Sequence, residues 1–256
     1  MYPILFYLAS AATNWLPVVQ IPLNAVMAVT DNQNNFYVVD EHGAVLKFDS
    51  LCNELYRYHH NAGMPTNVDA TNPFRPLIYY SGTQTIVITD NTLSLAATVE
   101  LQKLGYVRVT SVCRSSDNNI WLYDAFNYRV TRIDPNGGML HEGTDLMQQT
   151  GFAPDVQFMI EHEQKVYLCD STHGILVTDL YGNYEKTIPI KGLRRIQALR
   201  DVLLFVDGEN LMTYNLITAQ SDVLPLDGVE PYHQAVYTRD RLLTLEQNRV
   251  SLYRRK

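Results

Sequence analysis

The chain has 256 residues, 46% of them apolar and 18% charged, with 17 tyrosines and a net charge of −7. That length and apolar content suit one large domain or two small ones with a substantial core, and the aromatic content favours strands. The only basic clusters are Arg194-Arg195 and Arg254-Arg255-Lys256, too short to form a groove for nucleic acid held through its phosphates.

Residues 1–12 read MYPILFYLASAA, a short apolar run with an A-x-A pattern at Ala9-Ser10-Ala11. That pattern is like a signal-peptidase site, so residues 1–12 are predicted as a leader and 13–256 as the folded domain. Export to a periplasmic or extracellular space is the expectation, with the cytoplasm as the alternative. No later run approaches the ~18–20 apolar residues of a membrane-spanning helix. Cys52, Cys113 and Cys169 are far apart without a CxxC pair, which is neither a disulfide framework nor a zinc site; buried small hydrophobes are expected.

From residue 25 onward one pattern recurs. An apolar run ends in a polar residue, a short turn follows, and a second run comes after it. The first runs end at Asp40, Ser81, Asp124, Asp170, Asp207 and Glu246, and the second at Asp49, Asp90, Asp134, Asp179, Asn215 and Tyr253. Both registers repeat at ~40 residues and drift together. Strands are also predicted before each pair, over 25–30, 107–114, 156–161, 196–200 and 234–238. Outer strands are predicted after it, for example over 54–59, 95–101 and 184–190, with Asn- and Gly-rich turns between. Four antiparallel strands per unit, with nearly continuous apolar inner runs, describe the blade of a β-propeller packed on both faces by its neighbours. Six blades are expected in an all-β domain.

The sixth unit ends after its third strand. Residues 15–23, WLPVVQIPL, end in Ile21-Pro22-Leu23, like Ile188-Pro189-Ile190 and Leu224-Pro225-Leu226 in two predicted outer strands. An outermost strand tolerates proline because one side is unpaired. The N-terminal strand is therefore predicted to complete the last blade, burying Trp15, Val18 and Ile21 and closing the ring.

In the third unit Asp124, Asn127, Arg129, Val130 and Asp134 spell D-x-x-N-x-R-V-x-x-I-D, which resembles the core of an NHL repeat. The other units keep only its outline, and Ser81 and Glu246 depart from it. The resemblance implies a six-bladed propeller that serves mostly as a recognition platform. With the A-x-A leader, the chain looks like an exported bacterial propeller.

Candidate ligand-binding residues on the channel face are Asp40, His42, Asp124, Tyr128, Asp170, His173, Asp207, Asn210 and Glu246, where the second strands end. An acidic face with interleaved histidines suits a cation or a polar ligand. An Asp that closes a strand also accepts hydrogen bonds from the turn after it, whether or not a site exists. The connections 59–67, 145–155 and 226–232 mix Gly, Pro, Met and aromatic residues, as binding loops do. His59 and His60 are adjacent in a predicted strand and point oppositely, so they cannot chelate one ion together. No GxSxG, HExxH, GxGxxG or phosphate loop is present.

The expected function is non-enzymatic binding of a protein, peptide or glycan by a monomer without a cofactor. The alternative is a divalent-metal-dependent, lactonase-like hydrolase using Ca2+ at the channel mouth. Gluconolactonase-type propellers place acidic and Asn ligands around one cation there. Asp69, Asn72 and Asp155 are the further candidates under that resemblance, without a motif match that assigns them.

Overall fold

Runs such as Phe36–Asp40 and Ile120–Asp124 have every residue buried. A strand has two faces with side chains alternating between them, so both faces must be covered. The computed structural model, which describes residues 15–256, shows how. The predicted leader lies outside the described residues.

Six four-stranded antiparallel sheets are present, five ordered as the chain runs and the sixth joining the first described strand to the last. The first blade is Ala25–Thr30, Phe36–Asp40, Val45–Phe48 and Glu54–Tyr58; the second is Asn67–Asp69, Leu77–Tyr80, Thr85–Thr89 and Leu95–Glu100. The third is Val109–Arg114, Ile120–Asp124, Arg129–Ile133 and Met139–Glu142, and the fourth Val156–His162, Lys165–Asp170, Gly174–Thr178 and Tyr184–Ile188. The fifth is Gln197–Leu199, Val202–Asp207, Asn210–Asn215 and Ser221–Leu224. The sixth takes Gln234–Thr238, Arg241–Leu245 and Val250–Arg255 from the end of the chain and Trp15–Ile21 from its start. The sheets form a six-bladed β-propeller closed by its N-terminal strand, as the sequence predicts.

The core divides into clusters between neighbouring blades. Phe36 and Val38 pack on Leu243 and Leu245 of the sixth blade. Tyr37 and Val39, the alternate residues, pack on Ile78 and Tyr80 of the second. The same alternation sends Leu77 and Tyr79 toward the third blade. Continuous apolar runs are thus two half-faces interleaved in one strand.

Ring closure is an antiparallel ladder from Trp15 opposite Arg255 to Ile21 opposite Val250. Trp15 is buried with Leu204, Leu211, Leu242 and Tyr253 and meets Tyr237 edge-on. Val19 and Ile21 pack against the cluster between the sixth and first blades. Val18 departs from the expectation: it is 40% exposed. The ladder register shifts between Pro17 and Val19, and that bulge turns Val18 outward.

Adjacent blades are also tied by glutamine amides that mimic a peptide ladder. Gln234 Nε2 donates to Ala28 O (2.7 Å) and its Oε1 accepts from Ala28 N (3.1 Å). Gln197 grips Tyr237 in the same two-point way, and Gln84 grips Val109. These contacts join blades six to one, five to six, and two to three.

Candidate functional site in the central channel

The first strands of the blades line the channel. Three of them, beginning at Ala25, Val109 and Val156, carry a register shift around their second residue. The shift frees Val26, Thr110 and Gln157 from the ladder, and Val26 and Gln157 line a channel cavity of about 940 Å3. Its wall mixes apolar residues, among them Val68, Phe158 and Phe205, with Thr66, Asn67, His233 and Gln234.

Arg195 lies in this cavity. It sits in the connection between the fourth and fifth blades, just ahead of the strand at Gln197. Its Nη1 donates to Asn67 Oδ1 (2.9 Å) and its Nη2 to Thr66 O (2.6 Å), both on the second blade. In a ring of six, the second and fifth blades face each other, so this side chain bridges the channel. The guanidinium also rests over the Phe158 ring, 5.3 Å from its centre. Burial pushes its pKa down to about 10. Among the described residues no carboxylate pairs with it. Arg194 and His233 line the same cavity, and Asp69 is its one acidic lining residue. The Asp69 carboxylate is already engaged by Thr71 N and Oγ1 and by Arg114 N. Two arginines against one carboxylate leave the cavity wall with a small positive excess in a protein of net charge −7.

The acidic residues that end the second strands serve their own turns. Asp40 Oδ1 accepts from His42 N and Ala44 N, both at 2.9 Å. Asp124 accepts from Phe126 N, Asn127 N and Asn127 Nδ2. Tyr128 adopts φ 54° beside that turn, and its carbonyl accepts from Leu146 N. Asp207 pairs with Asn210 across a tight hairpin, both exposed. Glu246 is buried and ion-paired with Arg249. Asp40 and His42, with Asn24 and Asn248, border a smaller cavity of about 340 Å3 between the sixth and first blades.

Asp170 gathers the densest set. Its carboxylate accepts from Thr172 N, His173 N, His173 Nδ1 and Asp155 N. Burial works to raise its pKa, and these donors outweigh burial and hold it below the usual carboxylate value. His173 is fixed further by stacking on Phe152, with ring centres 3.8 Å apart. Asp155, Asp170 and His173 are thus brought together, in an arrangement whose hydrogen bonds are local.

Asp69 and Asn72 fall at the opposite end of the channel from Asp40, Asp124 and Asp170. Asp69 ends a first strand, and Asn72 lies in the loop from first to second strand, bonded to Asn118 in the equivalent loop of the third blade. In an antiparallel blade, that loop and the one after the second strand are on opposite faces. Asp69 and Asn72 therefore cannot share one ion with Asp155. Among the described residues, no three His, Cys, Asp or Glu side chains are grouped to hold a metal.

Sequence reasoning passed over Arg195 because the pair Arg194-Arg195 reads only as a basic cluster, too short for a nucleic-acid groove. The usable signal was its position between two blades. Two of the connections named as specificity candidates do reach the channel, 59–67 through Thr66 and Asn67 and 226–232 through Tyr232.

Solved structures with similar folds include the Neurospora crassa Pan2 WD40 domain, at 8% identity and a TM-score of 0.66 over 95% of this chain and 96% of that one. Virginiamycin B lyase from Staphylococcus aureus is similar at 9% identity, TM-score 0.65, covering 94% and 98%. BamB from Moraxella catarrhalis is similar at 9% identity, TM-score 0.51, covering 89% and 81%. No protein-family model and no curated protein matches the chain. At these identities the similarity is one of fold, and this fold carries both a WD40 domain and a lyase.

Proposed function

We propose that this chain is a non-enzymatic recognition propeller of the bacterial cell envelope, taking part of a protein, peptide or glycan partner into its central channel. The observation that carries the reading is the channel itself. About 940 Å3 of mixed apolar and polar wall is the size and character of a ligand site. Asp40, Asp124 and Asp170 are occupied by hydrogen bonds from their own turns, and among the described residues no three His, Cys, Asp or Glu side chains are grouped where an ion would sit. A hydrolase that activates water on a divalent cation needs such a point.

The envelope location rests on Ala9-Ser10-Ala11. Among the described residues, no helix is long and apolar enough to cross a membrane. N-terminal sequencing of the protein from its natural source tests export. A mature chain lacking residues 1–12 supports it, and an intact Met1 in the cytoplasm contradicts it.

Val26 is exposed within the channel, so Val26→Trp narrows the cavity without removing a core contact. Affinity capture from the source organism should recover a partner with the native chain and lose it with Val26→Trp. Equal recovery by both would move recognition away from the channel.

A further inference from the structure

The charge at Arg195 is not needed for the bridge that it makes. Elsewhere the ring is tied by neutral glutamines, which meet one donor and one acceptor of a facing backbone. Arg195 bonds to two neutral oxygens, Asn67 Oδ1 and Thr66 O, which an amide NH2 could also serve. The side chain is half-buried on the cavity wall, burial favours its neutral form, and among the described residues no acid pairs with it. Among the described residues, two of its five N–H donors have acceptors. The remaining ones are held in a fixed plane by the bridge and by Phe158, on the wall of a cavity that also holds Arg194 and His233. A planar, pre-oriented guanidinium without a carboxylate is a receptor for an oxyanion.

We propose that Arg195 anchors an oxyanion site in the central channel, where it binds a carboxylate or phosphate group of the ligand. The anion supplies the missing counter-charge and takes N–H donors that Asn67 and Thr66 leave free. Arg194, exposed on the same cavity, adds attraction at the entrance. The apolar wall around Phe158 and Phe205 receives the uncharged part of the same molecule. This assignment rests on the reading of the channel as a binding site and gives that site its chemical class.

The test uses the full chain and two simple probes, inorganic phosphate and citrate, against sodium chloride at matched ionic strength. Phenylglyoxal modification of Arg195, followed by peptide mass spectrometry, reports access to the guanidinium. At ten times its dissociation constant a probe should slow modification about tenfold, since only about one molecule in eleven stays free. Protection by phosphate alone assigns a phosphate ligand, and protection by citrate assigns a carboxylate; either supports the site. Protection no greater than with chloride overturns it. Arg195→Gln keeps a neutral bridge and should abolish the probe-induced rise in melting temperature, whereas Arg195→Lys should retain part of it. An undiminished rise in Arg195→Gln also overturns the site. Should Arg195→Gln fail to fold, the modification experiment on the native chain decides alone. If the probes fail while capture still depends on an open channel at Val26, the oxyanion assignment is wrong and channel recognition stands. If capture is also indifferent to Val26→Trp, both are wrong.

Discussion

Gln234 and Ala28, 206 positions apart, are joined by both ends of one side-chain amide, at 2.7 and 3.1 Å. The contact ties the inner strand of the last blade to that of the first, where the ring closes. Each such bond contributes about 1 kcal/mol, and leaving the Ala28 backbone groups unpaired adds a desolvation cost. Gln234→Leu should therefore destabilise the protein by about 2–3 kcal/mol in urea unfolding, with little change in m. A loss below about 0.5 kcal/mol would mean that the clamp is incidental.

The N-terminal strand supplies the outer edge of the last blade and buries Trp15 at 3% exposure. Trp15→Ala should cost about 3–5 kcal/mol. Removing residues 1–23 should lower stability across the whole domain and promote association through the uncovered strand Val250–Arg255. Removing residues 1–12 alone should change neither. Calorimetry and light scattering on the two deletions check this; a monomer that melts normally without residues 1–23 would contradict it.

The hydrogen bonds on Asp170 hold its folded pKa below the unfolded value. Its contribution to stability is then fully present above about pH 4, the unfolded carboxyl value, and is lost as pH falls through the lower folded pKa. Asp170→Asn should be less stable than the native chain at pH 7, and the difference should shrink below pH 4. A difference that stays constant down to pH 2 would exclude this origin.

Chelator should leave the melting temperature within about 1 °C, because the carboxylates that end the second strands are satisfied by N–H donors of their own turns. A drop of many degrees restored by calcium, together with lactone hydrolysis, would favour the metal-dependent alternative.

Most of this architecture was legible in the sequence, for a physical reason. A blade packed on both faces needs inner strands apolar at every position, and such runs, each closed by a turn, stand out at a fixed spacing. The second blade's inner strand escaped notice because Asn67–Asp69 is only 3 residues long and runs into Asn72-Pro73. Without that strand, nothing in the sequence set Asp69 and Asn72 at the opposite mouth from Asp155, with which the lactonase resemblance grouped them. The outward turn of Val18 depends on a bulge that apolar patterning does not encode. The contacts of Arg195 were beyond local pattern altogether: Thr66 and Asn67 are 129 and 128 positions away, and only the closed ring brings them opposite.

Recognition inside the channel can be separated from recognition on the outer wall by photocrosslinking in living cells. Val26, in the channel, and Leu55, on the outer strand of the same blade, are similarly exposed at 46% and 43%. With p-benzoylphenylalanine at either position, the account predicts a specific adduct from position 26 and none from position 55. An adduct from position 55 alone would contradict it.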